Sequence, residues 1–185
     1  MNTVLQSFFL VFISEMGDKT QLLTLVLVLR YRQPWAIMGG ILVATLLNHG
    51  LASWLGGRAA ALVAPGVLAW VLALTFFAFA AWILVPDKDE GLEEKKDGAG
   101  AFWTTAVAFF LAEMGDKTQL ATIALGARFA SPWLVTAGTT LGMLAADGLA
   151  VAFGERLLQR IPMLWVRRAA SLLFALFGVG ILLRG

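Results

Sequence analysis

Residues 15–22 read EMGDKTQL, and the same eight letters return at residues 113–120, 98 positions later. The correspondence continues on the carboxyl side of the octet at the same offset. It pairs Arg30 with Arg128, Pro34 with Pro132, Gly40 with Gly138 and residues 50–52 with residues 148–150. An identical octet followed by further matches at one fixed offset indicates that the chain is an internal duplication.

The composition places this duplication in a membrane. Of the 185 residues, 59% are apolar and 14% are charged, whereas a soluble domain is about 45–50% apolar and about 25% charged. A membrane-spanning helix needs about 20 mostly apolar residues. Six such runs predict transmembrane helices, at residues 4–29, 35–55, 61–85, 104–127, 133–153 and 169–183.

The number of spans in each half fixes the relation between the halves. Three spans are odd in number, so the second half must enter the membrane from the side opposite to the first. We therefore predict an all-α integral membrane protein of two inverted-topology three-helix repeats, an architecture that places a transporter's substrate site where the repeats meet. The first repeat is predicted at 1–85 and the second at 103–185, joined by an acidic linker at 86–102 that is too polar to bury itself.

The distribution of lysine and arginine predicts how the chain is oriented in the membrane. Of 14 lysines and arginines, nine fall on one side of the predicted spans, three on the other, and Lys19 and Lys117 lie within the spans. The more basic side faces the cytoplasm, so both termini are predicted outside and the linker inside. Residues 155–168 are predicted to lie partly in the cytoplasmic interface. We expect a short chain of this kind, without a targeting extension, to lie in a bacterial inner membrane.

The repeated octet puts charge inside the bilayer, at a cost of about 2.5–3.5 kcal/mol for each group. On a continuous helix, Glu15 and Asp18 would share one face, as would Glu113 and Asp116. Across the pseudo-two-fold axis these four carboxylates would converge and would need protons or a cation to neutralise them. Because the ligands are oxygens, Ca²⁺ and Mn²⁺ are the cations favoured; the residues do not rank the two.

Other polar residues of the octet are predicted to surround this metal site. Lys19 and Lys117 each follow their glutamate by four residues, the spacing of an ion pair within a helix. Such a lysine either neutralises a carboxylate so that the helix can insert, or acts in the mechanism. In the second case it holds a carboxylate ionised when the metal has left, or competes with the metal for the site. Gly17 and Gly115 allow either close helix approach or local unwinding. Further ligand atoms could come from Thr20, Gln21, Thr118 and Gln119.

His49 and Asp147 are equivalents under the 98-residue offset, in the second and fifth predicted spans. Ionisable groups at such a depth are rare and usually functional. We predict a proton-relay role for the pair, against the alternative that a buried histidine is only a hydrogen-bonded core residue.

The doubled motif resembles that of a known family. Glu-x-Gly-Asp-(Lys/Arg)-(Thr/Ser), present twice in six spans around an acidic loop, is similar to the motif of the Gdt-type cation/proton exchangers of the lysine-exporter superfamily. The resemblance implies exchange of Ca²⁺ and/or Mn²⁺ for protons, with manganese export in bacterial members. It places the essential acidic residues and the rest of the motifs on Glu15, Asp18, Lys19, Thr20, Glu113, Asp116, Lys117 and Thr118.

The predicted function is secondary active transport: divalent cations leave the cytoplasm in exchange for protons, across the lipid bilayer. No histidine–nucleophile arrangement or nucleotide loop indicates an enzyme, and no cofactor or nucleic acid is expected. Two alternatives stay open, export of a cationic amino acid and passive cation conduction, although the third and sixth spans hold few polar residues for a channel. Whether one chain suffices or a homodimer forms is also open.

Overall fold

The computed structural model describes residues 2–85, 100–154 and 162–183. Most of the predicted linker at 86–102 and residues 155–161 of the predicted interfacial segment lie outside these ranges. The described residues form eight helices. They are α1 (Thr3–Glu15), α2 (Lys19–Tyr31), α3 (Pro34–Ala60), α4 (Pro65–Trp82), α5 (Gly100–Glu113), α6 (Lys117–Phe129), α7 (Pro132–Phe153) and α8 (Met163–Leu182).

Four of these helices, α3, α4, α7 and α8, are long and apolar enough to cross a membrane, and α1 and α5 are shorter apolar helices. The protein is therefore an all-helical membrane protein. The sixth predicted run, 169–183, begins too late, since α8 starts at Met163 directly after Pro162. That start is 98 residues after the first residue of α4, Pro65, so the two halves begin this helix at the same place.

The runs at 4–29 and 104–127 are each divided into two helices at the octet. Of the two alternatives for Gly17 and Gly115, the structure shows a local break of the helix. Gly17 and Gly115 adopt φ angles of 78° and 76°, in the left-handed region that favours glycine at a helix end. Asp18 then caps the next helix, because its side chain accepts a hydrogen bond from the Lys19 N–H at 2.8 Å. Each octet thus ends one helix and begins another within three residues.

The halves pack on each other through equivalent contacts. Helix α3 packs on α5, and its equivalent α7 packs on α1. A Cβ atom added at Gly40 would lie 2.6 Å from the Phe102 carbonyl oxygen, and one at Gly138 would lie 2.5 Å from the Val4 carbonyl oxygen. Both members of one contact lie 98 positions from their counterparts in the other. Helices α3 and α7 also contact each other, as do α4 and α8.

The interface between α3 and α6 and its counterpart between α2 and α7 are not packed equally closely. Gly56 of α3 lies against the Ile123 carbonyl group, and Gly126 of α6 lies against the Ser53 carbonyl group. We call this contact the α3–α6 seal. In the matching pair, α2 and α7 pack less closely, and Val28 stands where α6 has Gly126. The glycine that allows α6 to approach α3 closely is therefore absent at the equivalent position of α2.

Candidate functional site

The two helix breaks bring three carboxylates together. Glu15 is the last residue of α1, Glu113 is the last residue of α5, and Asp116 precedes α6. The exposed fractions of these residues are 0%, 0% and 8%, and one oxygen from each lies within 4.8 Å of the others. We call these three residues the carboxylate cluster. Three carboxyl groups buried this close together repel one another when ionised, so protons or a cation between them are favoured.

Among the described residues, Glu15 accepts two side-chain hydrogen bonds in the carboxylate cluster and Glu113 accepts none. Thr20 donates its hydroxyl to Glu15 Oε2 at 2.9 Å, and Thr118 of the other half donates to Glu15 Oε1. Both carboxylate oxygens of Glu113 and Oδ2 of Asp116 have no hydrogen-bond partner among the described residues. Buried polar atoms are rarely left without a partner. These three oxygens are therefore available to protons or to a metal ion.

The pairing of Lys19 with Glu15 that was expected within one helix is wrong. Lys19 and Glu15 belong to different helices, and Lys19 Nζ instead lies 3.3 Å from Asp116 Oδ1 of the other half. Lys117 Nζ lies 3.4 Å from the Val85 carbonyl oxygen and 5.7 Å from the centre of the Trp82 ring, within the range of a cation–π contact. Lys19 thus offsets part of the negative charge of the carboxylate cluster.

The glutamines of the octets close the helix breaks. Gln21 Oε1 accepts a hydrogen bond from the Gly17 N–H at 2.7 Å, and its Nε2 donates to the Ala146 carbonyl oxygen of α7 at 2.7 Å. Gln119 repeats the first bond with the Gly115 N–H, also at 2.7 Å. Both amide oxygens therefore satisfy backbone groups that the breaks expose.

Asp18 lies outside the carboxylate cluster. It lines a small cavity of about 20 Å³ that also reaches Thr118, Val85 and Arg167. Because Thr118 donates to Glu15, this cavity leads from Asp18 to the edge of the cluster. Its volume suits about one water-sized group.

His49 and Asp147 are both fully buried and also lie outside the cluster. Asp147 Oδ1 accepts a hydrogen bond from the Thr24 hydroxyl at 2.8 Å. Asp147 Oδ2 and both ring nitrogens of His49 have no hydrogen-bond partner in the part of the chain that the structure describes. The two residues that the duplication makes equivalent therefore have different surroundings. Asp147 has a hydrogen-bond donor, whereas the ring of His49 has no partner among the described residues.

Buried carboxylates at the breaks of two apolar helices are the arrangement of a membrane transporter for cations. The comparison with known families agrees. Residues 3–91 and 101–185 match the family described as "Divalent cation/proton antiporter GDT1", and the chain belongs to this family. It is therefore a transporter and not an enzyme, and the family's substrates are a divalent cation and protons.

Of three relatives of this chain, two align with most of it and the third aligns with part of it. It is 46% identical over 169 residues to "Putative manganese exporter" of Vibrio cholerae, covering 90% of this chain and 84% of that protein. It is 30% identical to GDT1-like protein sll0615 of Synechocystis, covering 92% and 91%. It is 40% identical over 70 residues to divalent cation/proton antiporter GDT1 of Saccharomyces cerevisiae, covering 38% and 25%. No solved structure matches the chain significantly.

Proposed function

We propose that this protein exports a divalent cation, with Mn²⁺ the first candidate and Ca²⁺ the second, in exchange for protons. The observation that carries the proposal is the carboxylate cluster, in which three buried oxygens have no partner in the described chain. Oxygen ligands suit both metals. Manganese comes first because the relative from Vibrio cholerae carries that metal in its name.

The proposed architecture is a six-span inverted repeat. Helices α1 and α2 together form the first span, and α5 and α6 together form the fourth. The repeats extend over 1–85 and 103–185, with 86–102 as the cytoplasmic linker and both termini outside. The matching contacts of Gly40 and Gly138 support this symmetry, and the distribution of lysine and arginine supports the orientation.

Within this architecture the cluster binds the cation and the rest of the octets assist it. Thr20 and Thr118 fix the orientation of Glu15 through their hydroxyl groups. Asp18, in the cavity that leads to the cluster, receives the cation first. When the cation is absent, Lys19 forms an ion pair with Asp116. When the cation binds, the Lys19 side chain moves away, because its ammonium group and the cation compete for the same carboxylate.

The difference between the two interfaces supports alternating access. The α3–α6 seal lies towards the predicted outer side and is closely packed. The α2–α7 interface is looser, and the cavity at Asp18 is lined by Val85 and Arg167, which the orientation places towards the cytoplasm. We infer that the site faces inward here, and that rocking one repeat against the other reverses the two interfaces.

The test uses purified protein in proteoliposomes with an imposed pH gradient. Wild type should accumulate Mn²⁺ against its concentration gradient, which passive conduction cannot do. Glu113→Gln should lose this accumulation, because it removes a cluster carboxylate that no hydrogen bond in the described chain holds. The matched control is Trp103→Phe, at an exposed position on the same helix, which should transport normally. Normal exchange by Glu113→Gln would reject the proposed site.

The same assay separates metal export from export of a cationic amino acid. Excess lysine should leave Mn²⁺ accumulation unchanged if the cluster is a metal site. Inhibition by lysine, together with lysine accumulation driven by the pH gradient, would favour the amino-acid exporter instead.

A further inference from the structure

Asp147 is a buried carboxyl group that the proposed cation site does not use. It lies in α7, fully buried, with Thr24 of α2 as its hydrogen-bond donor at 2.8 Å. Its second oxygen, Oδ2, has no partner among the described residues. Asp147 therefore stands at the looser of the two inter-repeat interfaces, in contact with the helix that begins at the first break.

The surroundings of Asp147 disfavour a charge. No basic nitrogen lies within 4.0 Å of it in the described chain, neither Lys117 of α6 nor the ring of His49 on α3. Further acidic groups lie at the ends of helices: Asp18 precedes α2, Glu15 ends α1 and, in the other repeat, Glu113 ends α5. An unpaired carboxylate charge at such a depth is costly. The neutral, protonated carboxyl group is the form that these surroundings favour.

We propose that Asp147 is a proton-binding site distinct from the carboxylate cluster. One proton leaves Asp147 Oδ2 for water when the cation enters the cluster, and one proton returns to the same oxygen when the cation leaves. This inference rests on the proposed cation/proton exchange and assigns to one residue one of the exchanged protons.

A direct connection joins Asp147 to the first octet. Gln21 bonds both the Gly17 N–H at the helix break and the carbonyl oxygen of Ala146, the neighbour of Asp147. Thr24, which donates to Asp147, lies on the same helix, α2. A shift of the break on cation binding therefore moves the carbonyl group and the hydroxyl group next to Asp147 together.

The duplication shows that this arrangement belongs to one half alone. Thr122, the equivalent of Thr24, donates its hydroxyl to the Thr118 carbonyl oxygen of its own helix at 2.7 Å. The equivalent of Asp147 is His49, and no side-chain hydroxyl bonds its ring in the described residues. Thr122 is thus a matched control for Thr24.

The main test compares two modes of transport in proteoliposomes. Exchange of radioactive Mn²⁺ outside for Mn²⁺ inside needs no net proton movement, whereas accumulation driven by a pH gradient does. Asp147→Asn should keep metal–metal exchange within about twofold of wild type, as expected for sites that do not share ligands. It should fail to accumulate Mn²⁺ above the external concentration.

A second pair of variants tests the hydrogen bond. Thr24 donates its hydroxyl to Asp147 Oδ1, so Thr24→Val, which removes this bond, should change the pH profile of proton-driven exchange from that of wild type. Thr122→Val should leave that profile unchanged, because its bond stays within its own helix.

The outcomes separate this inference from the proposed function. Proton-driven accumulation by Asp147→Asn, or equal pH profiles for Thr24→Val and Thr122→Val, would overturn the inference. Loss of metal–metal exchange in Asp147→Asn alone would also overturn it, since Asp147 would then belong to the cation site. Failure of wild type in both modes would instead reject the proposed exchange itself.

Discussion

The α3–α6 seal offers a quantitative test of the packing. A Cβ atom at Gly56 would lie 2.8 Å from the Ile123 carbonyl carbon and 2.9 Å from the Ala127 backbone nitrogen, distances that real Cβ atoms essentially never show. The obstacle is backbone, which cannot rotate away as a side chain can. Gly56→Ala must therefore push α3 and α6 apart.

The expected change in the free energy of unfolding of Gly56→Ala is the sum of two opposing contributions. Overpacking of a well-packed contact costs about 1–3 kcal/mol, with the upper end expected against backbone. Alanine in place of glycine within a helix returns about 0.5–1 kcal/mol. The net loss is about 2 kcal/mol, which for a chain of this length corresponds to a fall in Tm of about 4–8 °C.

The assay is thermal unfolding in detergent, followed by tryptophan fluorescence, with Gly148→Ala as the matched control. Gly148 is also a helical glycine, but its nearest neighbour, a methionine methyl group of Met38, would be 3.7 Å from the new Cβ. The control should be neutral or slightly more stable. Equal Tm changes in the two variants would refute the close approach of α3 and α6.

Two further predictions concern the octets. Lys19→Gln should tighten Mn²⁺ binding by up to about fivefold, because the half-exposed ion pair with Asp116 contributes about 0.2–1 kcal/mol. Titration of the purified protein with Mn²⁺ measures the affinity. Weaker binding than in wild type would contradict the proposed competition. Gln21→Leu leaves the Gly17 N–H unpaired and should destabilise the fold by about 1–3 kcal/mol. Thermal unfolding measures the loss, and a Tm equal to that of wild type would show that the break does not depend on Gln21.

The sequence was sufficient to predict the duplication, the apolar helices and the meeting of the two octets. An exact repeat of eight residues leaves little alternative to two equivalent halves, and buried carboxylates need one another or a cation. Three of the four expected carboxylates lie together. The residues that end and begin helices, glycine followed by aspartate, were also visible in each octet.

The sequence left open whether Gly17 and Gly115 allow close helix approach or a local break, because the apolar residues on both sides of each glycine also fit one uninterrupted span. Local signals for a helix end are weaker than a hydrophobic run of that length. The pairing of Lys19 with Asp116 could not be predicted either, because it joins residues 97 positions apart in different halves. The hydrogen bonds of Gln21 to the Gly17 N–H and to the Ala146 carbonyl oxygen depend on the break itself, so no residue pattern indicated them.

The cross-packing of α1 on α7 and α5 on α3 also bears on how such a chain could arise. Each half covers apolar surface that the other half leaves bare, so neither has a complete interior without its counterpart. A shorter ancestor with a single copy could have buried the same surfaces only by associating with another molecule of itself. Gene fusion would then have made that association permanent and freed the two copies to diverge, as Asp147 and His49 have done.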